Sequence, residues 1–136
     1  MGARRPLVLA SGVQAELPAA DFLYDVQGAP AAVNATATLT IAQLLTQLIT
    51  TTSAVAVSLT LPTGTLCDAG ITAPALPVNG CFDWTISNLG TSTGAITLVA
   101  GTGHTIVGSA AIPIATPAGF RTRKTAANTF VTYRMR

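Results

Sequence analysis

His104 is the only histidine in the 136 residues, and Cys67 and Cys81 are the only cysteines. With Asp68 and Asp83, they are the central side chains best suited to acid–base, nucleophilic or metal chemistry. A metal site would have to combine one imidazole with carboxylates or thiolates. A Ser-His-Asp relay could be assembled by count from a serine, Asp83 and His104, but no Gly-x-Ser-x-Gly elbow is expected to present the serine. The stretch "GTGHTIVG", residues 101–108, begins like a phosphate-binding loop. It lacks the Lys of the Walker pattern, and its third glycine falls too late for the dinucleotide fingerprint. It reads as a tight turn entering a strand. Asp83, beside Trp84, reads as an outward strand residue or a turn anchor. Catalysis needs several polar groups converging in a pocket, and this chain offers few. We therefore expect no enzyme, no cofactor and no metal.

The charges are distributed unusually. All seven basic residues lie near the ends, as Arg4 and Arg5, then Arg121, Arg123, Lys124, Arg134 and Arg136. Charged residues make up 9% of the chain and hydrophobic ones 49%, whereas an ordinary soluble domain is roughly 25% charged. A free monomer of this composition would be poorly covered by charge, so much of its surface is expected to face other subunits. Net charge is only +2 and aromatic residues are 5%, which argues against nucleic acid as a partner. A membrane span needs about 20 predominantly apolar residues. The best stretch, from Leu39 to Leu61, is interrupted by Thr, Ser, Gln43 and Gln47. After Arg4 and Arg5 the apolar run "PLVLA" stops at Ser11-Gly12, short for the core of a secretion signal. Cys67 and Cys81 flank a Pro- and Gly-rich loop and could close it as a bridge. Without a sign of export, two free thiols are the favoured reading.

These residues must be positioned by a mostly β body. Residues 1–35 read as an extended arm, with short strands at Leu7–Ala10 and Val13–Leu17 around a Ser11-Gly12 turn. Residues 36–136 read as the body. One helix is expected at about residues 40–50. Ile41, Leu44, Leu45, Leu48 and Ile49 have one-face spacing, Thr40 with Gln43 forms a capping box, and the Thr50–Thr52 run ends it. That face is expected to pack in the core or at a subunit interface. Beyond it the chain reads as short strands. Phe82, Trp84, Ile86 and Asn88 share one face of "CFDWTISN", and "GFRTRKT" with "NTFVTYRMR" forms a closing hairpin. Close-spaced short strands without further alternating helices suggest a sandwich or partial barrel and disfavour a parallel α/β sheet.

Two segments carry a resemblance. "RRPLVLASGVQAELPAAD", residues 4–21, resembles N-terminal segments of many tailed-phage virion proteins. "FDWTISNLGTSTGAITLVAGTGHTIVGSAAIPIATPAGFRTRKTAANTFVTYRM", residues 82–135, is similar to the C-terminal part of small phage capsid decoration (cement) proteins and related head-fibre modules. The resemblance implies a jelly-roll-like protein on the outer surface of an icosahedral capsid, clamping major capsid proteins as a dimer or trimer, without cofactor or metal. The expected capsid contacts are Arg4, Arg5, Leu7, Leu9, Arg121, Arg123 and Lys124, since Arg suits bidentate pairing with carboxylates. Leu44, Leu45, Leu48 and Trp84 are expected in the core or an oligomer contact. The competing class is a head- or tail-fibre module that binds a host receptor. Such a module is expected to join further domains or a stalk, and this chain ends directly after its last strand.

Overall fold

The computed structural model describes residues 7–10, 13–16 and 27–136. Strands β1 (Leu7–Ala10) and β2 (Val13–Glu16) pair with each other antiparallel, with Leu7 opposite Glu16. The rest is a two-sheet sandwich. Its elements are β3 (Ala31–Ala32), β4 (Ala37–Thr38), α1 (Ile41–Leu45), β5 (Leu48–Thr51), β6 (Val57–Thr60) and α2 (Gly64–Gly70). There follow β7 (Cys81–Asn88), β8 (Ile96–Val99), β9 (His104–Val107), β10 (Ala111–Ile112), β11 (Pro117–Ala126) and β12 (Thr129–Arg134). One sheet runs β3-β5-β7-β11-β12-β9 and the other β10-β8-β6-β4.

From β3 to β11 the chain changes sheet at every step. It therefore winds as a flattened coil. β3, β5 and β7 stack parallel in the larger sheet, and β4, β6 and β8 stack parallel in the smaller one. The coil closes antiparallel, with β10 on β8 and the β11–β12 hairpin on β7. A jelly roll is an antiparallel architecture, so these parallel neighbours are a feature that the jelly-roll expectation did not contain. The mainly β sandwich itself is present. Residue alternation fills the space between the sheets. Ile49, Trp84, Ile86 and Phe120 from one sheet meet Val57, Leu59, Ile96 and Leu98 from the other, all buried. Ala31–Ala32 already pairs with β5 and Val33 is buried, so the body begins ahead of residue 36.

The expected helix at 40–50 is shorter than its spacing suggested. Its capping box forms, with Gln43 N donating to Thr40 Oγ1 at 3.2 Å and Thr40 N donating to Gln43 Oε1 at 2.8 Å. It stops at Leu45, and Gln47 takes a left-handed φ of 65°. That conformation breaks a helix, and the β-branched run from Ile49 favours a strand. Leu48 and Ile49 therefore belong to β5. A second helix, α2, was not expected. Thr63 caps it, its Oγ1 accepting from Leu66 N at 3.3 Å. A Cβ on Gly64 would lie 1.9 Å from the Asn128 carbonyl oxygen, so glycine lets α2 seat against the β11–β12 turn.

Candidate interaction face

β7, β11 and β12 form the middle of the larger sheet, and their inner sides are fastened by polar groups as well as packing. Trp84 stacks on Phe120 with ring centroids 4.7 Å apart. Its Nε1–H donates to Thr122 Oγ1 at 2.9 Å, and that hydroxyl meets Thr132 Oγ1 at 2.8 Å. All three side chains are buried, so one hydrogen-bonded line crosses three strands. At the end of β7, buried Asn88 donates to the carbonyls of Gly94, Ile112 and Pro113, and its Oδ1 accepts from Gly90 N. This one amide ties the larger sheet to the loops of the smaller one. Arg134 sits with its guanidinium 5.5 Å from the Phe120 ring centre and donates to the carbonyls of Ser109 and Ala111. It thereby clasps β12 to the free side of β10.

The outer side of the same strands carries the candidate surface. Arg121 stands opposite Asp83 in register and grips it with two bonds, Nε–Oδ1 at 2.6 Å and Nη2–Oδ2 at 2.7 Å. The guanidinium holds the Asp83 carboxyl below the usual carboxylate range, despite opposing desolvation. Arg123 lies two residues on and donates to Asn79 Oδ1 at 2.9 Å and to the Tyr133 hydroxyl at 3.3 Å. Tyr133 and half-buried Val131 continue the face along β12, and Met135, 55% exposed, follows. Gly119 leaves a dip between Arg121 and Arg136. One depression of about 330 Å³ is lined by Asp83, Gly119, Arg121, Met135 and Arg136, and another of about 620 Å³ by Gln47, Cys81, Asp83 and Thr85.

Of the expected contact residues, the structure brings Arg121 and Arg123 together and separates Lys124 from them. Strand alternation turns Lys124 to the other side. There its Nζ lies 2.7 Å from Asp68 Oδ1 of α2, with both side chains more than four-fifths covered. Asp68 Oδ2 also accepts from Asn128 N at 2.7 Å. Lys124 and then the Asn128 amide lower the Asp68 pKa. Lys124 is thus a clamp between helix and hairpin. Arg4 and Arg5 lie outside the described residues, and Leu7 and Leu9 fall within β1. Leu44 and Trp84 are core residues and Leu48 is half-buried. Leu45 is 43% exposed and is not part of the core, because the helix ends there and its apolar face never completes. The partners Asp68, Asp83 and Asn79 were missed as contacts. Only strand register, not local spacing, brings them to the basic residues.

The residues considered for chemistry are scattered. Cys67 and Cys81 are free thiols, one buried and one exposed, and burial pushes the Cys67 thiol up to about 12. His104, 9% exposed, shares its Nδ1 proton with the Pro62 carbonyl at 2.7 Å, and its ring tilts against Phe130. Burial lowers its pKa, and its Nε2 has no partner among the described residues. The 101–104 segment is a turn, His104 N donating to Gly101 O at 2.9 Å with Gly103 at φ 79°. The expectation that no Gly-x-Ser-x-Gly elbow occurs holds for the structure but not for the pattern. Residues 90–94, Gly-Thr-Ser-Thr-Gly, do fit the Gly-x-Ser-x-Gly pattern. They form a loop between strands β7 and β8, not the strand-to-helix elbow. Ser92 is exposed, with its Oγ 3.5 Å from the Ala54 carbonyl.

The smaller sheet's outer side is different in kind. Ser58, Thr60, Thr97 and Val99 stand there, with Thr38 beside Thr60, and none is ionisable. Between α1 and α2 runs an apolar groove of about 500 Å³, lined by Ile41, Leu39, Pro62 and Leu66. No helix among the described residues is long and apolar enough to cross a membrane. A search for similar proteins finds no matching family model, curated protein or solved structure.

Proposed function

We propose that this protein is a structural virion component that decorates a phage capsid, bridging major capsid proteins through the outer face of its larger sheet. One observation carries the docking face. Arg121, Arg123, Tyr133 and Met135 share a single open β surface with shallow dips between them. Arg, Tyr and Met are the side chains enriched where proteins bind proteins. The face is positive among the described residues, because Asp83 offsets only one of Arg121 and Arg123. It therefore suits a partner surface rich in carboxylates. The phage setting rests on the sequence resemblance of residues 4–21 and 82–135.

The test is co-sedimentation of purified protein with undecorated capsids at low and high salt. Replacing Arg121 and Arg123 with Gln weakens binding and flattens its salt dependence, since such contacts are screened within about 8 Å at physiological ionic strength. A variant without residues 2–12 reports separately on the arm. Unchanged binding by the double Gln variant at every salt concentration would remove the sheet face from the mechanism. The alternative, a fibre module binding a host receptor, draws support from the coil of stacked parallel strands, an architecture that extends by adding rungs. Binding to host cell envelopes in place of capsids would select it.

A further inference from the structure

The sandwich has four sheet edges, and three are short or covered. β3 and β4 are two residues each. β10 is equally short, and Arg134 occupies its outward carbonyl. The fourth edge is β9, which at four residues is longer than the other three and carries neither charge nor proline to block pairing. Its sequence is His-Thr-Ile-Val, and Val107 is 46% exposed. Its orientation follows from its parallel partner. Phe130 N donates to Gly103 O at 2.8 Å, and the register sets Phe130 beside His104 and Thr132 beside Ile106. In such a ladder Thr105 and Val107 turn their backbone groups toward β12, while His104 and Ile106 turn theirs outward. The His104 N–H is taken by Gly101 O. Ile106 keeps both an outward N–H and an outward C=O without a partner among the described residues.

We propose that β9 joins two copies of this chain, antiparallel, about a two-fold axis at Ile106. One donor and one acceptor on the same residue are self-complementary. Ile106 N–H of each copy bonds Ile106 C=O of the other, and Thr105 of each copy stands opposite Val107 of the other. β9 has no charged side chain, so the approach meets no repulsion across the seam. The axis of an antiparallel strand pair is perpendicular to the sheet, so the larger sheets of both copies join into one. Their outer faces then look in the same direction, and two sets of Arg121, Arg123 and Tyr133 meet one partner surface together. This consequence rests on the docking role proposed above; the pairing itself does not. Two linked weak sites gain through effective concentration what neither has alone.

The free protein, without capsids, is the sample, so failure of the docking role leaves the result intact. Analytical ultracentrifugation at micromolar concentration should give the parent chain twice its 13.7 kDa mass. Thr105→Lys with Val107→Lys sets lysines against lysines across the seam and should halve that mass, with an unchanged circular dichroism spectrum. A direct reading covers the case in which this variant does not fold. Thr105→Cys with Val107→Cys, in a Cys81→Ser background, places cysteines in facing positions about 4.5 Å apart at Cα, within disulfide range. Mild oxidation should then double the mass on a non-reducing gel. A monomeric parent, a trimer, a lysine variant that folds and still dimerises, or cysteines that do not cross-link would each overturn the proposal.

Discussion

The two outer faces of this sandwich are covered by opposite means. The smaller sheet presents Ser58, Thr60 and Thr97, hydroxyl side chains without charge. The larger sheet presents Asp83, Arg121, Arg123 and Tyr133, bonded to one another and to Asn79. The difference gives Arg121 and Arg123, two of the basic residues near the C-terminal end, a common place in the fold. β11 and β12 come last in the chain but lie inside the larger sheet, with β7 on one side and β9 on the other. Arg121 and Arg123, near the end of the sequence, thus stand near the middle of one face, while Lys124 and Arg134 turn to the sheet's inner side. The stretch from residue 6 to residue 120 holds no Lys or Arg and supplies the coil, whose strands face the core, a hydroxyl-lined surface or, at Asp83, the charged face.

The contrast can be tested by substitution and by acid. Trp84→Ala is expected to act most strongly. It removes the stacked ring and leaves the Thr122–Thr132 pair without its donor, with a cost of about 3–5 kcal/mol in chemical denaturation. A loss no larger than that of a surface substitution would mean that the larger sheet is not held from its inner side. Asn88→Ala should come next, at about 1–3 kcal/mol, because buried groups that the amide satisfies lose their partner. Loosening should reach both sheets, and hydrogen exchange at Ile96 and Ile112 reports the smaller one. Exchange confined to β7 would deny Asn88 its bridging role.

Acid should act more gently and in steps. His104 is neutral in the fold because burial lowers its pKa from 6.5. As pH falls below 6.5 the unfolded chain takes up the proton first, so stability declines, by up to about 1.4 kcal/mol per pH unit. Asp68 and Asp83, both lowered from 3.8, add a second decline in the same direction as pH falls through that value toward their folded pKa. Urea midpoints across pH should show the first step in the parent and not in His104→Leu. A step surviving in that variant would assign it elsewhere. The smallest effect belongs to Arg121→Gln. Its pair with Asp83 is exposed on both sides, so thermal stability should barely move. Its effect should appear only in binding.

Much of this was legible in the sequence where the signal is local. The alternation of Trp84, Ile86 and Asn88 marked the inner side of β7, the hairpin of β11 and β12 could be read directly, and Thr40 with Gln43 marked a helix start. Signals that depend on distant partners could not be read. Helical spacing over residues 41–49 continued through Gln47, whose left-handed backbone only the strand beyond it fixes. α2 begins and ends on glycine and has no apolar period, so only its cap at Thr63 announced it. Lys124 was grouped with Arg121 and Arg123 by adjacency, although the period of two already placed it on the other side. The direction in which neighbouring strands run leaves no mark on either strand alone.

The order of strands along the chain also sets the order in which the molecule can be made. β9 is synthesised before β12, the strand it pairs with, and the second side of β7 stays open until β11 follows. While the chain emerges, the coil therefore exists without the hairpin that gives the larger sheet its middle. Its apolar edges are most exposed to other chains in that interval. Folding dominated by such distant pairings is slow, of the order of milliseconds to seconds. A cell making many copies at once would therefore face its highest risk of mispairing before residue 129 is added.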